Sequence, residues 1–364
     1  MVVAAVVGDK ILGLRSEITE DVVQVEDRFN LNLIVAGEWT RPPADVIPFQ
    51  PIGLGKPLTV ILETLYIGDY PDTLRVIPGD QRGDILVTSA HKPFQNFDGA
   101  ARAIHLLQPK PERRDFLYAT ASAGGSQLIY YSPAVTDTNV LFTIEISADR
   151  EFNDELADGL SEALSSAAAL PVFAPAAPYL VSAGAAVKIG KKAADMLARP
   201  APYYCETLHV NFGLAGRAAS VASALLLWPG DDTAEVEGYT VDKDFRLRTP
   251  DGDLYKGAKP YAVLSLDGTK HEDLEGWTAR AMSAVMLERF FEPKEAMQQT
   301  LDLATESLSL YNDVSYQRRA LKAADAARAA SGAERARQEK LVAAYSKNIQ
   351  NADIRKTVEP EDEG

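Results

Sequence analysis

Between Glu162 and Lys188 the chain carries no charged residue, and that run holds Pro171, Pro175 and Pro178. Proline inside a helix removes a hydrogen-bond donor and clashes with the preceding turn, so the run cannot be one straight helix. Amphipathic patterns flank it. Phe152, Leu156, Leu160, Ala163, Leu164 and Ala167 recur at helical spacing before it. Glu151, Asp154, Glu155, Asp158 and Glu162 gather near the start of that pattern, where acids suit the helix dipole, and Asp149 is a candidate N-cap. Leu180, Ala183, Val187, Ala194 and Leu197 follow, with Lys188, Lys191, Lys192 and Arg199 toward the C-terminal half. The stretch at about 151–200 therefore predicts an inserted helical hairpin.

Two environments suit such a hairpin. Buried, it packs on a sheet. Exposed by a trigger such as proteolysis, its apolar residues Leu170, Val172, Phe173, Tyr179, Leu180 and Val181 would enter a bilayer, since roughly 20 apolar residues span one. The run is rich in Ala, Ser and Pro rather than Leu and Ile, and alanine buries little area, which favours burial in protein. Membrane association after activation stays as the alternative.

Strand-like sequence lies on both sides. Val2 to Val7 and Ile11 to Leu14 flank Gly8-Asp9-Lys10 as a tight hairpin. Leu31 to Ala36, Leu58 to Ile67, Leu74 to Ile77, Ile85 to Ser89, Ala103 to Leu107, Phe116 to Thr120, Leu128 to Ser132 and Val140 to Ser147 read as further strands. After the hairpin, Thr207 to Phe212, Ala222 to Trp228, Val236 to Val241, Phe245 to Leu247 and Tyr261 to Leu266 resume the pattern. Many short strands with Pro, Gly and Asp turns between them favour an antiparallel β-sandwich over a parallel sheet. The simplest topology lets the late strands join the early sheets. A second small β domain is the other option.

The remainder is helical. Gly276 to Phe291 is apolar on most faces, as a buried helix would be. From Lys294, Met297, Leu301, Ala304, Leu308 and Tyr311 alternate at spacings of four and three, the period of a coiled-coil seam, and Leu310, Val314 and Leu321 form an adjacent row. Ser331-Gly332 is a weak break before a second piece. The expected class is α+β: a β-rich body over 1–274 carrying the hairpin, a helical region over 275–356 and a disordered acidic tail over 357–364.

Charge is uneven. Residues 316–356 hold ten Lys or Arg, Arg318, Arg319 and Lys322 among them, against four acids. That +6 segment sits in a chain of net −15, so the rest carries −21. An acidic chain repels polyanions at long range, which argues against general nucleic-acid binding. The basic arm instead suits its own acidic body, a neighbouring copy or another protein. One cysteine, Cys205, excludes an internal disulfide and fits a reducing, cytoplasmic compartment. Met1 to Val7 lacks the basic start and longer apolar core of a secretory leader. The alanine-rich, acidic composition is of a bacterial kind.

The residues of catalysis do not assemble in the sequence. His91, His105, His209 and His271 show no zinc spacing. Cys205 and His209 would share one strand face, either as a nucleophile and base or as an incidental core pair. Ser126, Ser132 and Ser265 lie in no nucleophile elbow, and Gly53-Leu54-Gly55-Lys56 falls short of a phosphate loop. No catalytic residue and no metal ligand set is assigned, and a hydrolase using Cys205 or a serine is the remote reading.

Acidic turns recur at expected sheet ends: Asp69 and Asp72, Asp231 and Asp232, Asp251 and Asp253, then Asp267, Glu272 and Asp273. Clustered loop carboxylates suit Ca²⁺, although Asp also favours turns for its own sake. A sandwich with acidic loops resembles the C2-type membrane-binding domains in architecture only. The leading expectation is a non-enzymatic interaction or self-assembly protein, whose partner, another protein or a second copy, meets Met297, Leu301, Leu308, Tyr311, Arg318, Arg319 and Lys322.

Overall fold

The computed structural model describes residues 2–7, 10–13, 50–71, 82–93, 101–118, 127–149, 202–212, 223–230, 233–242, 244–274 and 295–358. Its class is α+β, with antiparallel sheets and helices gathered at the C-terminal end. The expected strand at 31–36, that at 74–77, the central hairpin at 151–200 and the helix at 276–291 fall outside these residues.

Among the described residues, thirteen strands form two sheets. They are β1 (Val2–Val7), β2 (Lys10–Gly13), β3 (Leu58–Tyr66), β4 (Asp84–Pro93), β5 (Ala101–Gln108), β6 (Phe116–Leu117) and β7 (Leu128–Ser132). β8 (Asn139–Asp149), β9 (Tyr204–Asn211), β10 (Ser223–Trp228), β11 (Thr240–Val241), β12 (Leu247–Arg248) and β13 (Tyr261–Asp267) follow. The larger sheet runs β12-β11-β2-β1-β10-β13-β3-β6, with β7 also on β3, and the smaller runs β5-β4-β8-β9. β1 and β2 pair as the hairpin read from Gly8-Asp9-Lys10. β10 and β13 sit between β1 and β3, so the late strands join the sheet of the early ones.

The alternation of β8 shows which of its faces is buried. Val140, Phe142, Ile144, Ile146 and Ala148 are buried, while Leu141, Thr143, Glu145 and Ser147 between them are half-buried. A strand sends successive side chains to opposite faces, so the buried set lies on one face. That set shares one core with Leu58, Val60 and Leu62 of β3, Leu225 and Leu227 of β10 and Leu264 of β13. The two sheets thus bury apolar faces in a common core.

β10 and β13 are buried on both faces, in keeping with their nearly unbroken apolar runs. Leu225, Leu227, Ala262 and Leu264 enter the shared core. Ala224, Leu226, Trp228, Tyr261 and Val263 face the other way, under Val236, Val241, Leu247 and Tyr255. Rings dominate this second core. Tyr66 stacks on Tyr261 at 5.4 Å, and Trp228 meets Tyr255 edge-on at 5.5 Å.

The covering segment departs from the expected strands. Instead of one strand from Val236 to Val241, Thr233–Val236 forms a 3₁₀ turn and pairing begins only at Thr240. The Glu235 carboxylate there accepts from Trp228 Nε1 at 2.8 Å and from Lys259 Nζ at 2.5 Å, and Gly238 turns the chain at φ +75°. Likewise Phe245 is not in a strand. The Asp242 carboxylate accepts from the N–H groups of Asp244 and Arg246, both at 2.9 Å, and closes a turn that holds Phe245 at φ +57°. Strand β12 therefore starts at Leu247.

One bulge places a carboxyl in the large sheet. Val263 pairs with Thr64 and Leu264 with Leu62, leaving Glu63 as the extra residue. Its Oε1 accepts from Ser265 Oγ at 2.5 Å. Burial pushes the Glu63 carboxyl above its ordinary value and outweighs the Ser265 hydrogen bond, which acts the other way. A raised folded value makes the contribution of Glu63 fully present below its unfolded range, about pH 4, and lost as pH rises through the folded value. Glu63→Gln is therefore expected to raise the urea midpoint at pH 7 and to leave it unchanged near pH 3. A midpoint that falls at pH 7 would contradict this.

Candidate interaction surface

Three helices make the C-terminal arm: α1 (Glu295–Ala329), α2 (Gly332–Lys347) and α3 (Ala352–Lys356). The break read at Ser331-Gly332 separates α1 from α2, which pack against each other. The Asn351 side chain caps α3 by accepting from the N–H groups of Asp353 and Ile354 at 2.9 and 3.1 Å.

The turn between α2 and α3 is tied to the middle of α1. Asp313, 2% exposed, accepts from the N–H of Gln350 on Oδ1 and of Asn351 on Oδ2, both at 2.8 Å. Arg355 donates to the Ile349 carbonyl through Nε at 2.8 Å and through Nη2 as well. Ala320, Ile349 and Val358 close a small apolar cluster beside Tyr316, Tyr345 and Ile354. Val358, placed in the expected disordered tail, is thus buried. Residues 359–364 lie outside the described residues.

A side-chain clasp holds the arm to the body. Asn348 Nδ2 donates to the carbonyls of Ala134 and Ala344, both at 2.8 Å, and Asn348 Oδ1 accepts from Ser132 Oγ at 3.0 Å. Beside the clasp a cavity of about 170 Å³ is lined by Leu54, Thr136, Asp137, Asn139, Arg337 and Tyr345, among others. Gly53-Leu54-Gly55-Lys56 reaches this junction, but the amides of Gly55 and Lys56 are already used. Gly55 N donates to Val135 O at 2.8 Å and Lys56 N to Gly53 O at 3.0 Å, so neither is left for a phosphate.

The partner-binding residues read from the sequence divide into two groups. Met297, Leu301, Leu308 and Tyr311 lie within the α1 helix, with their side chains outside the described set. Arg318, Arg319 and Lys322 are described and exposed. Continuing the spacing of the seam past Tyr311 leads to Ser315, Arg318 and Lys322, none of them buried. The buried row of α1 is a different one: Asp313, Ala320, Ala323 and Ala327, with Tyr316 half-buried among them. It also follows the three-four period, but in alanine, which a search for large apolar residues passes over. On the outer side Leu310 and Leu321 stand 51% and 44% exposed.

The other readings meet the structure as follows. Leu170, Val172, Phe173, Tyr179, Leu180 and Val181 of the membrane hairpin lie outside the described residues. Among the described residues no helix is long and apolar enough to cross a membrane. Cys205 and His209 are both exposed rather than core, and four residues along a strand separate them by about 13 Å, beyond hydrogen-bonding reach. His209 Nε2 instead contacts Asn139 Oδ1 at 3.2 Å.

Ser126 lies outside the described residues. Ser132 and Ser265 are buried; Ser132 Oγ accepts from Ala134 N at 3.2 Å and Ser265 Oγ donates to Glu63. A serine–histidine contact that the sequence did not suggest joins Ser89 Oγ and His105 Nε2 at 2.6 Å. Sequence separation hides it, because β4 and β5 bring the two together across a bulge at His105. They are 3% and 0% exposed, so a substrate has no path to the hydroxyl.

Among the described residues the acidic turns stay apart. Asp69 accepts from Arg114 Nε and Nη2 at 2.9 and 2.6 Å, and that guanidinium holds its carboxyl below the usual range. Asp267 Oδ1 accepts from Gln50 N at 2.5 Å, and Glu272 pairs with Lys270 at 3.3 Å. Among the described residues no three acidic, histidine or cysteine groups converge on a metal position. Asp72, Asp231 and Asp232 lie outside those residues. Comparison of the chain with protein-family models, with curated proteins and with solved structures finds no match.

Proposed function

We propose that this chain is a non-enzymatic self-assembly protein in which a β-sandwich body displays the C-terminal arm as its docking element. One observation carries the reading. α1 exposes Leu310 and Leu321 on an arm otherwise fastened by Asp313 and Asn348, with Arg318, Arg319 and Lys322 exposed alongside. Large apolar groups on a rigid helix, bordered by charge, are the composition of a protein-binding face. The arm is basic and the rest of the chain strongly acidic, which supports a protein surface rather than nucleic acid as its target.

Light scattering on the full chain tests the reading. Leu310→Asp combined with Leu321→Asp is expected to abolish self-association at concentrations where the native chain associates, without loss of helical signal. Association that survives both substitutions would remove the arm from the interface.

A further inference from the structure

The cavity where the arm meets the body carries two opposite charges that do not pair. Its body wall is built by the turn between β7 and β8 and the segment beside it. Leu54 bridges to Val135 there, Gly55 N donates to Val135 O and Val135 N donates to Lys56 O, both at 2.8 Å. This wall contributes Leu54, Thr136 and Asp137. The arm wall is α2, where Arg337, Leu341 and Tyr345 recur every four residues and so share one helix face. The Asn348 clasp fixes that end of α2 against the body. Hydrogen bonds hold both walls, so the cavity is formed before a ligand enters. At about 170 Å³ it is smaller than the roughly 300–1,000 Å³ of drug-sized sites and matches a small metabolite.

Asp137 is half-buried, and its carboxylate accepts from Thr136 Oγ1 at 3.1 Å. It lies close to α2: burial raises the Tyr345 hydroxyl above its ordinary value, and the Asp137 charge raises it further. Arg337 is the exposed member of the lining and stands at the rim. Its ion pair is with Glu334, at 3.8 Å and open to water, a contact worth little. Among the described residues Asp137 and Arg337 form no ion pair with each other. A carboxylate and a guanidinium on opposite walls select by charge. Phosphate would meet Asp137, and a metal ion or an amine would meet Arg337. A neutral sugar would leave both charges uncompensated. A zwitterion answers both, since an ammonium pairs with a carboxylate and a carboxylate fits the guanidinium fork. Leu54, Leu341 and the Tyr345 ring add the apolar surface for an aliphatic side chain.

We propose that this cavity binds a free aliphatic α-amino acid of about the size of leucine, with its ammonium on Asp137, its carboxylate on Arg337 and its side chain among Leu54, Leu341 and Tyr345. The bound molecule touches body and arm together, so its occupancy strengthens the attachment that Asn348 provides. The site stands apart from the self-association reading, and the test of one does not decide the other.

Calorimetric titration of the full chain with L-leucine tests the proposal. The controls are isocaproate, which is leucine without its ammonium, and isoamylamine, which is leucine without its carboxylate. L-leucine is expected to bind at least about tenfold more tightly than either, because each control loses one charge-assisted contact. Asp137→Asn is expected to erase the preference over isocaproate, and Arg337→Met the preference over isoamylamine, with the helical signal of both variants unchanged. The comparison of the three compounds on the native chain decides by itself if a variant fails to fold. No binding of L-leucine at millimolar concentration would overturn the proposal. So would equal binding of either control, or binding of inorganic phosphate in its place.

Discussion

Phe142→Ala is expected to lower the stability of the folded chain by about 3–5 kcal/mol. Phe142 lies in the middle of β8, fully buried where the two sheets meet, and its ring packs edge-on against Tyr130 of β7 at 5.5 Å. β8 is paired on one side with β4 and on the other with β9. That double ladder prevents the strand from sinking into the void that the lost ring would leave. The cost therefore includes the unfilled cavity as well as the lost transfer energy. Urea unfolding at pH 7 measures it, with Leu141→Ala as the comparison. Leu141 is the preceding residue, on the opposite face and half-buried, and its truncation is expected to cost less than half as much. Equal costs would mean that the two faces of β8 are not distinguished by burial.

Gly68→Ala is expected to cost about 3 kcal/mol or more, for a backbone reason. Gly68 follows β3 at φ +57°, a left-handed conformation that a side chain disfavours by roughly 1–2 kcal/mol. A methyl group there would also meet Ala258 O at 2.3 Å and Pro260 N at 2.7 Å. These are main-chain atoms, pinned where Asp69 N donates to Ala258 O at 2.8 Å and Tyr66 Oη donates to Gly257 O at 2.8 Å. Nothing flexible can give way, so the loop before β13 must shift. Gly252→Ala is the control. It shares a positive φ, +86°, but has open space at the added methyl, so only the conformational cost remains. Comparable midpoints for the two variants would refute the close approach.

Pattern carried the strands well wherever one face was buried. The alternation from Val140 to Ser147 marked β8, and Leu128 to Ser132 coincides with β7. The continuous run in β10 marked a strand but could not tell that both of its faces are covered, because period alone does not separate a doubly buried strand from other apolar segments. Where side chains redirect the backbone, the pattern misled. Asp242 accepts from two N–H groups and pulls Phe245 into a turn, although Phe245-Arg246-Leu247 alternates as a strand would.

The arm was legible as helix from its period and from its break at Ser331. Its packing row was not, since Ala320, Ala323 and Ala327 offer little apolar area to notice. The seam through Met297, Leu301, Leu308 and Tyr311 is conspicuous in the sequence because its residues are large. Hydrogen bonds between distant residues, such as Asn348 to Ala134 and Ser89 to His105, leave no periodic trace at all.

The molar mass of the native full-length chain, followed by light scattering as concentration rises, tests the central claim most directly. The account predicts a mass that climbs above the 39.5 kDa of one chain as concentration rises. A mass fixed at that of a single chain across the whole range would contradict it.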